Sequence, residues 1–390
     1  MRVCSLNWVL ILCVFFFPWL FQLNVFASPA EPIVIGGTVS LAGKYREPSL
    51  MIQKAFQLWE REVNAQGGML GRPVKLVLYN DRSEPERVRH SYEKLITQDH
   101  VDLVLSPYGT PLTLVASEVS ERHEKVMLAC AASGEAVWER QYKYVFGMYA
   151  LGTRYFIGLV DLMARNGVDS VAIVYEASPF HSDVAKGTRS WARRFGVNIG
   201  LSRSFDVGRE DLPGLLDDVI KVNADNVILS AYPPDCYHFL KLLEEKGFRP
   251  KILGMTIAPV HPEFVKRAGA MAEGVFGPSQ WEADERIPFP GTKRFIKEFT
   301  AYADKRPSYH AGSAYAACQI LKKAIGQTGS LDQNKIRDYI LALDTVTVIG
   351  RFKVDHTGRQ IGHNPILIQW QDGNKEIVYP KKMQTAKPRF

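Results

Sequence analysis

Residues 33–81 leave little choice of fold. The stretch opens on β-branched Ile33-Val34-Ile35, breaks at Gly36-Gly37 and runs through a polar loop past Ser40, Gly43 and Tyr45. Apolar residues then recur at Leu50, Ala55, Leu58, Trp59 and Val63, close to helical spacing, until Gly67-Gly68 stops the helix. A second extended run at 74–79 closes on Asn80-Asp81. Strand, loop, helix, strand is one βαβ unit of a parallel sheet. Open parallel sheets hold ligands at the carboxyl ends of their strands. The loop from Ser40 to Ser49 is therefore the first candidate wall of a binding site.

The rhythm continues. Helical patterns at 85–98 and 112–123 alternate with short apolar runs at 101–105, 126–129 and 144–149, each ending in small or hydroxyl residues. It restarts after Tyr149, with helices expected at 154–166, 184–195, 212–223 and 236–246 and strands at 171–175, 198–205, 226–230 and 251–254. A strand at 274–277 reads as a passage between domains, and helices follow at 294–304, 314–325 and 334–343. Near the end, 350–354 and 366–370 alternate apolar and polar side chains, a β-hairpin pattern. Two βα series of similar size point to an α/β fold with duplication at the fold level.

A chain of 390 residues with 46% hydrophobic residues is long enough for two full cores. Arg2, the apolar run at 9–17 and the small-residue pattern Val25-Phe26-Ala27 read as a signal peptide spanning 1–27, with export to the periplasm. The run breaks at Pro18 and falls short of the ~20 residues of a membrane-spanning helix. Cys130, Cys236 and Cys318 stand too far apart for a metal-binding pair and read as buried thiols. The formal charge is +7, with Lys381, Lys382, Lys387 and Arg389 concentrated in a basic tail at 381–390. A solvated, frayed tail accounts for them better than a nucleic-acid surface.

Enzyme signatures fail one by one. From Gly37 to Lys44 the spacing is one residue too long for a phosphate loop, and Tyr45 stands where a metal-binding hydroxyl belongs. There is no dinucleotide fingerprint at the first turn, no GxSxG elbow and no HExxH, and the nine histidines are scattered. The chain is expected to be no enzyme and to need no cofactor or metal. What remains is a set of strand-end loops carrying Tyr45, Thr110, Ser133, Tyr149, Phe180, Tyr232 and Trp281, suited to a concave site with a few placed polar groups. Gly109-Thr110 precedes a helix, whose N–H groups and dipole favour a carboxylate. Thr110 reads equally as an N-cap, Ser133 as a turn former, Phe180 and Tyr232 as loop aromatics, and Trp281 as hinge packing.

The run from Gly36-Gly37-Thr38-Val39-Ser40 through Leu41-Ala42-Gly43-Lys44-Tyr45, the segment from Asn64 to Pro73, and Asn80-Asp81 together resemble the branched-chain amino-acid-binding type of periplasmic solute-binding protein that serves ABC importers. Gly274-Val275, Pro307-Ser308-Tyr309, Ala314-Tyr315-Ala316-Ala317 and the closing Gln369-Trp370-Gln371-Asp372-Gly373 extend the likeness over nearly the whole mature chain. The resemblance implies an α/β fold of two doubly wound, Rossmann-like lobes (31–149 with 278–354, and 150–277 with 355–380) joined by three crossings near Tyr149-Ala150, Gly277-Pro278 and Val354-Asp355, closing on a ligand by hinge bending. It implies that Gly109-Thr110 and Ala132-Ser133 hold a ligand carboxylate, that Tyr45 contacts it from the first loop, and that Phe180 and Tyr232 cover it from the second lobe. Amino-acid binders of the family set an acid against the ligand ammonium; the matching positions here are Gly152 and Thr256, and the nearest second-lobe acid is Glu176. That departure favours a carboxylic acid with an apolar or aromatic body over an α-amino acid. The expected partners are a small carboxylate and a membrane permease, with the protein acting as a monomer. The alternative is a ligand-sensing module for a signalling receptor.

Overall fold

The computed structural model describes residues 30–206 and 211–390; the expected signal peptide lies outside the described residues. The first lobe runs β1 (Ile33–Val39), α1 (Arg46–Ala65), β2 (Val74–Asn80), α2 (Pro85–Thr97), β3 (Leu103–Leu105), α3 (Thr110–Arg122), β4 (Met127–Ala129), α4 (Ala136–Glu139) and β5 (Val145–Gly147). Its strands form a parallel sheet in the order β2-β1-β3-β4-β5. The second lobe runs α5 (Ile157–Arg165), β6 (Ser170–Glu176), α6 (Pro179–Phe195), β7 (Asn198–Phe205), α7 (Leu212–Lys221), β8 (Asn226–Ser230), α8 (Pro233–Glu245), β9 (Ile252–Met255), α9 (Phe264–Ala268) and β10 (Phe276–Ser279). The chain then forms α10 (Thr292–Ala303), α11 (Tyr309–Thr328), α12 (Gln333–Ala342), β11 (Asp344–Thr347), β12 (Gly350–Lys353), β13 (Ile366–Gln371) and β14 (Asn374–Tyr379). The second sheet is ordered β14-β13-β10-β9-β8-β6-β7, antiparallel only at its β10-β13-β14 end.

Burial explains why these sequences take these places. Central strands β3 and β8 are buried at every position, as strands covered by helices on both faces must be. Helix α1 turns Ile52, Ala55, Phe56, Trp59 and Val63 into the first core. It packs along α11, buried at 13 of its 20 residues and returned to the first lobe by the long third passage of chain. Gln333 ties α12 there too, accepting from Val126 N–H at 2.9 Å and donating to Asp102 O at 2.9 Å.

Three sequence expectations need correction. The segments at 350–354 and 366–370 do not pair with each other. β12 pairs with β11, and β13 pairs with β14 across the turn at Asp372-Gly373. All six residues of β13 are buried, because it is an interior strand flanked by β10 and β14 rather than a half-solvated hairpin arm. Second, the third crossing comes later than Val354-Asp355. Gly147 N–H donates to Gly358 O and Ile361 N–H to Lys353 O, both at 2.8 Å, so 355–361 still belong against β5 and β12, and the chain joins the second sheet at Ile366. Third, the basic tail is not frayed. The side-chain amides of Gln369 and Gln371 act as ladder partners, donating to Arg389 O at 2.7 Å and Lys387 O at 2.8 Å, while Phe390 stacks on Phe276. Cys130, Cys236 and Cys318 are free and buried, and burial pushes the Cys130 thiol up to about 12.

Candidate functional site

The carboxyl ends of both sheets face each other across the seam between the lobes. There Tyr108, Gly109, Thr110, Ala131, Ser133, Tyr149 and Tyr309 meet Tyr155, Phe180, Tyr232 and Ile257 around a cavity of about 10 Å³. That is room for about one water molecule, so the lobes are shut and the rings fill the seam. The rings meet edge to face: Tyr45 on Tyr232 at 4.8 Å, Tyr155 on Phe180 at 5.1 Å and Tyr149 on Tyr309 at 5.4 Å between centroids. Each of these pairs joins separate segments of the chain, and the Tyr45–Tyr232 pair crosses the seam.

Local structure places each group. Gly109 is the N-cap of α3 at φ 85°, a conformation open to glycine, and it is close to the tip of Tyr232: a Cβ there would lie 3.4 Å from the Tyr232 hydroxyl. Thr110 is the first residue of α3, and its hydroxyl accepts from Gly134 N–H at 2.9 Å, tying the loops after β3 and β4 together. The Ser133 and Tyr155 hydroxyls lie 2.9 Å apart. Burial pushes Tyr108, Tyr149, Tyr155, Tyr232 and Tyr309 upward, so all stay protonated. The Tyr149 and Tyr232 hydroxyls are buried without a hydrogen-bond partner in good geometry among the described residues. The seam therefore offers hydroxyl donors on an apolar wall, a setting that suits an anion with a flat or branched apolar body.

Gly109, Thr110, Ser133, Tyr149, Phe180 and Tyr232, six of the residues proposed from sequence, line this cavity. Tyr45 stands just behind, edge-on to both Tyr108 and Tyr232. Ala132 is buried between two lining residues without lining the cavity itself. Two residues point elsewhere. Thr256 exchanges hydrogen bonds of 2.9 Å with both the N–H and the C=O of Ala231, bracing the loop that carries Tyr232, and its neighbour Ile257 lines the cavity instead. Trp281 is buried against Phe295 and α11, away from the cavity. The Gly109 N–H, expected to meet a carboxylate, already donates to Ala131 O at 3.0 Å. Phe180 sits on the first turn of α6, not in a loop, because Pro179 starts that helix earlier than its apolar periodicity does.

Sequence reasoning passed over Tyr108, Tyr155 and Tyr309. It also left Glu176 without a direction. Its side chain is fully buried at the end of β6, with Oε1 3.2 Å from Lys44 Nζ of the first lobe. Its Oε2 faces His181 Nε2 at 3.9 Å. Burial raises the Glu176 carboxyl, and Lys44 opposes that rise. His181 is held neutral by burial, with Nδ1 2.8 Å from Ser230 Oγ. Lys44 Nζ stands 5.1 Å from the Tyr45 ring centre and 5.0 Å from that of Tyr232.

The chain crossings carry a hinge of side-chain amides. Gln280, just after β10, brackets Ala150, and His363 Nε2 lies 3.1 Å from Gln280 Oε1, so one glutamine touches all three passages.

A model of the periplasmic binding protein family matches residues 32–375. A Leu/Ile/Val-binding protein homolog of Brucella suis is 23% identical over 356 residues, covering 84% of this chain and 86% of the relative. Among solved structures, a leucine binding protein from Thermotoga maritima superposes with a TM-score of 0.81 at 18% identity, over 88% of this chain and 97% of that one. A solute binding protein of an ABC transporter from Rhodopseudomonas palustris, in complex with 3,4-dihydroxybenzoic acid, gives a TM-score of 0.76 at 18% identity, over 88% and 95%. The two-lobed fold is that of type I periplasmic binding proteins. The chain belongs to the periplasmic binding protein family, extracytoplasmic solute-binding proteins rather than enzymes.

Proposed function

We propose that this protein is the receptor of an ABC importer, capturing a small carboxylate-bearing solute in the seam and presenting the closed form to a membrane permease. One observation carries the reading: tyrosine hydroxyls held protonated by burial converge on the seam between two hinged lobes, and two of them, Tyr149 and Tyr232, have no hydrogen-bond partner in good geometry among the described residues. The first lobe supplies Thr110, Ser133 and Tyr149, and the second lobe brings Phe180 and Tyr232 down as a lid. Admission of a solute requires the lobes to part, since the cavity of about 10 Å³ is smaller than any carboxylic acid with a carbon body. A solute then favours the closed form by as much as it binds that form better than the open one.

The matched structures support both amino acids and aromatic acids as solute classes: one is a leucine binding protein, another holds 3,4-dihydroxybenzoic acid. Between them, the ring-lined wall favours the aromatic or branched apolar acid. Thermal-shift screening against amino acids, aromatic acids and short branched acids tests this. A carboxylate that raises the melting temperature in proportion to the logarithm of its concentration is expected. No response to any carboxylate, beside a response to neutral sugars or amides, would overturn the reading.

A further inference from the structure

We propose that Lys44 is the built-in occupant of a cation site formed by Glu176, Tyr45 and Tyr232, and that it sets the specificity of the seam against solutes carrying an ammonium group. This deepens the reading of the seam as a carboxylate site and rests on it.

Three observations converge. Glu176 is a fully buried carboxylate at the strand end beside the ring wall of the cavity, a place where an acid needs a cation. Lys44 crosses from the opposite lobe to supply one, 3.2 Å from Oε1. Its ammonium also lies about equally far from two tyrosine rings, 5.1 Å and 5.0 Å from their centres. A carboxylate with two ring faces is the chemistry that recognises an organic ammonium. Here the protein fills that site with its own side chain.

The consequence for selection is electrostatic. A solute with only a carboxylate leaves the Lys44–Glu176 pair intact when the lobes close. A solute that brings an ammonium must evict Lys44 from the buried Glu176 carboxylate or set a second cation beside it, and each choice opposes closure. The other oxygen of Glu176 is turned into the second lobe, 3.9 Å from His181 Nε2, and away from Lys44.

Isothermal titration with two matched pairs tests this: leucine against 4-methylpentanoate, and phenylalanine against 3-phenylpropanoate. Each pair differs by the amino group alone. The wild-type protein is expected to bind at least one amine-free acid ten-fold or more tighter than its amino acid. Lys44→Met, which keeps an apolar stem at a side chain 31% exposed, is expected to shrink that ratio at least ten-fold, and Lys44→Arg to preserve it. Lys44→Met/Glu176→Gln should lose whatever amino-acid affinity Lys44→Met gained. Equal or tighter binding of the amino acid by wild type, or a ratio unchanged in Lys44→Met, overturns the role of Lys44 while leaving the carboxylate site standing. Binding of none of these acids overturns the carboxylate reading and this inference with it. Unfolding midpoints of the variants, expected within a few degrees of wild type, separate lost selection from lost folding.

Discussion

Gln280 brackets Ala150: its Oε1 accepts the Ala150 N–H at 2.9 Å and its Nε2 donates to the Ala150 carbonyl at 3.2 Å. Both residues are buried, so a side chain from the second crossing serves as a strand-like partner for the backbone of the first. Gln280→Ala leaves two buried backbone groups unpaired and is expected to lower stability by about 2 kcal/mol, at about 1 kcal/mol per hydrogen bond. Urea unfolding measures the loss. Small-angle scattering should show a larger radius without ligand, as the lobes open more freely.

Tyr149→Phe removes a hydroxyl that has no hydrogen-bond partner in good geometry among the described residues. Its stability is expected to stay within about 0.5 kcal/mol of wild type, the size of a neutral change. Its affinity for the carboxylate solute is expected to fall about ten-fold, worth about 1.4 kcal/mol. Calorimetric titration with the solute found by screening decides; an unchanged affinity would remove Tyr149 from the site.

Thr256→Val tests the opposite pattern. The hydroxyl braces both polar groups of Ala231, one residue before Tyr232. Valine keeps the shape and loses both hydrogen bonds, so stability is expected to fall by about 2 kcal/mol. Thr256→Ser should restore most of it. Thermal unfolding without ligand separates this bracing role from direct ligand contact, which would cost affinity alone.

His261 of the second lobe stacks on His310 of the first at 5.0 Å. Burial, with Lys375 and Arg267 nearby, lowers His261 to about 3, and burial lowers His310 too. Glu47 lies 3.5 Å from His261 Nδ1 but is itself paired with Arg267. In the unfolded chain each histidine gains a proton near pH 6.5; in the folded seam it does not. Stability is therefore fully present above about pH 6.5 and declines as the pH falls toward 3, by about 2 kcal/mol at pH 5 for His261 alone. His261→Asn is expected to flatten the slope of unfolding free energy between pH 7 and 5, followed by chemical denaturation at each pH.

The βαβ units were legible because their signals are local. β-branched runs, helical spacing and glycine stops lie next to one another in the chain, and the strands and helices fall where those signals put them. The ends of strands were legible for the same reason, which is how Thr110, Ser133, Tyr149, Phe180 and Tyr232 came to notice. Tyr108, Tyr155 and Tyr309 were hidden by their settings: Tyr155 starts what reads as a core helix, and Tyr309 begins α11. Nothing local says that three such rings, far apart in sequence, share one cavity. The direction of Glu176 was equally invisible, because its partner lies 132 residues away in the other lobe. The false hairpin has the same root. Alternation in 366–370 describes residue types, and β13 buries its glutamines because their amides are bonded to the C-terminal segment.

The three cysteines have a practical consequence. Oxidants and alkylating reagents attack the thiolate, and a thiol that ionises only near pH 12 is almost never one. Among the described residues, all three thiols are free and buried, so in an oxidising surrounding the fold holds them out of reach of a pairing partner. A maleimide left with the intact fold would find none of Cys130, Cys236 and Cys318 until the structure came apart, which makes these three an internal clock for unfolding.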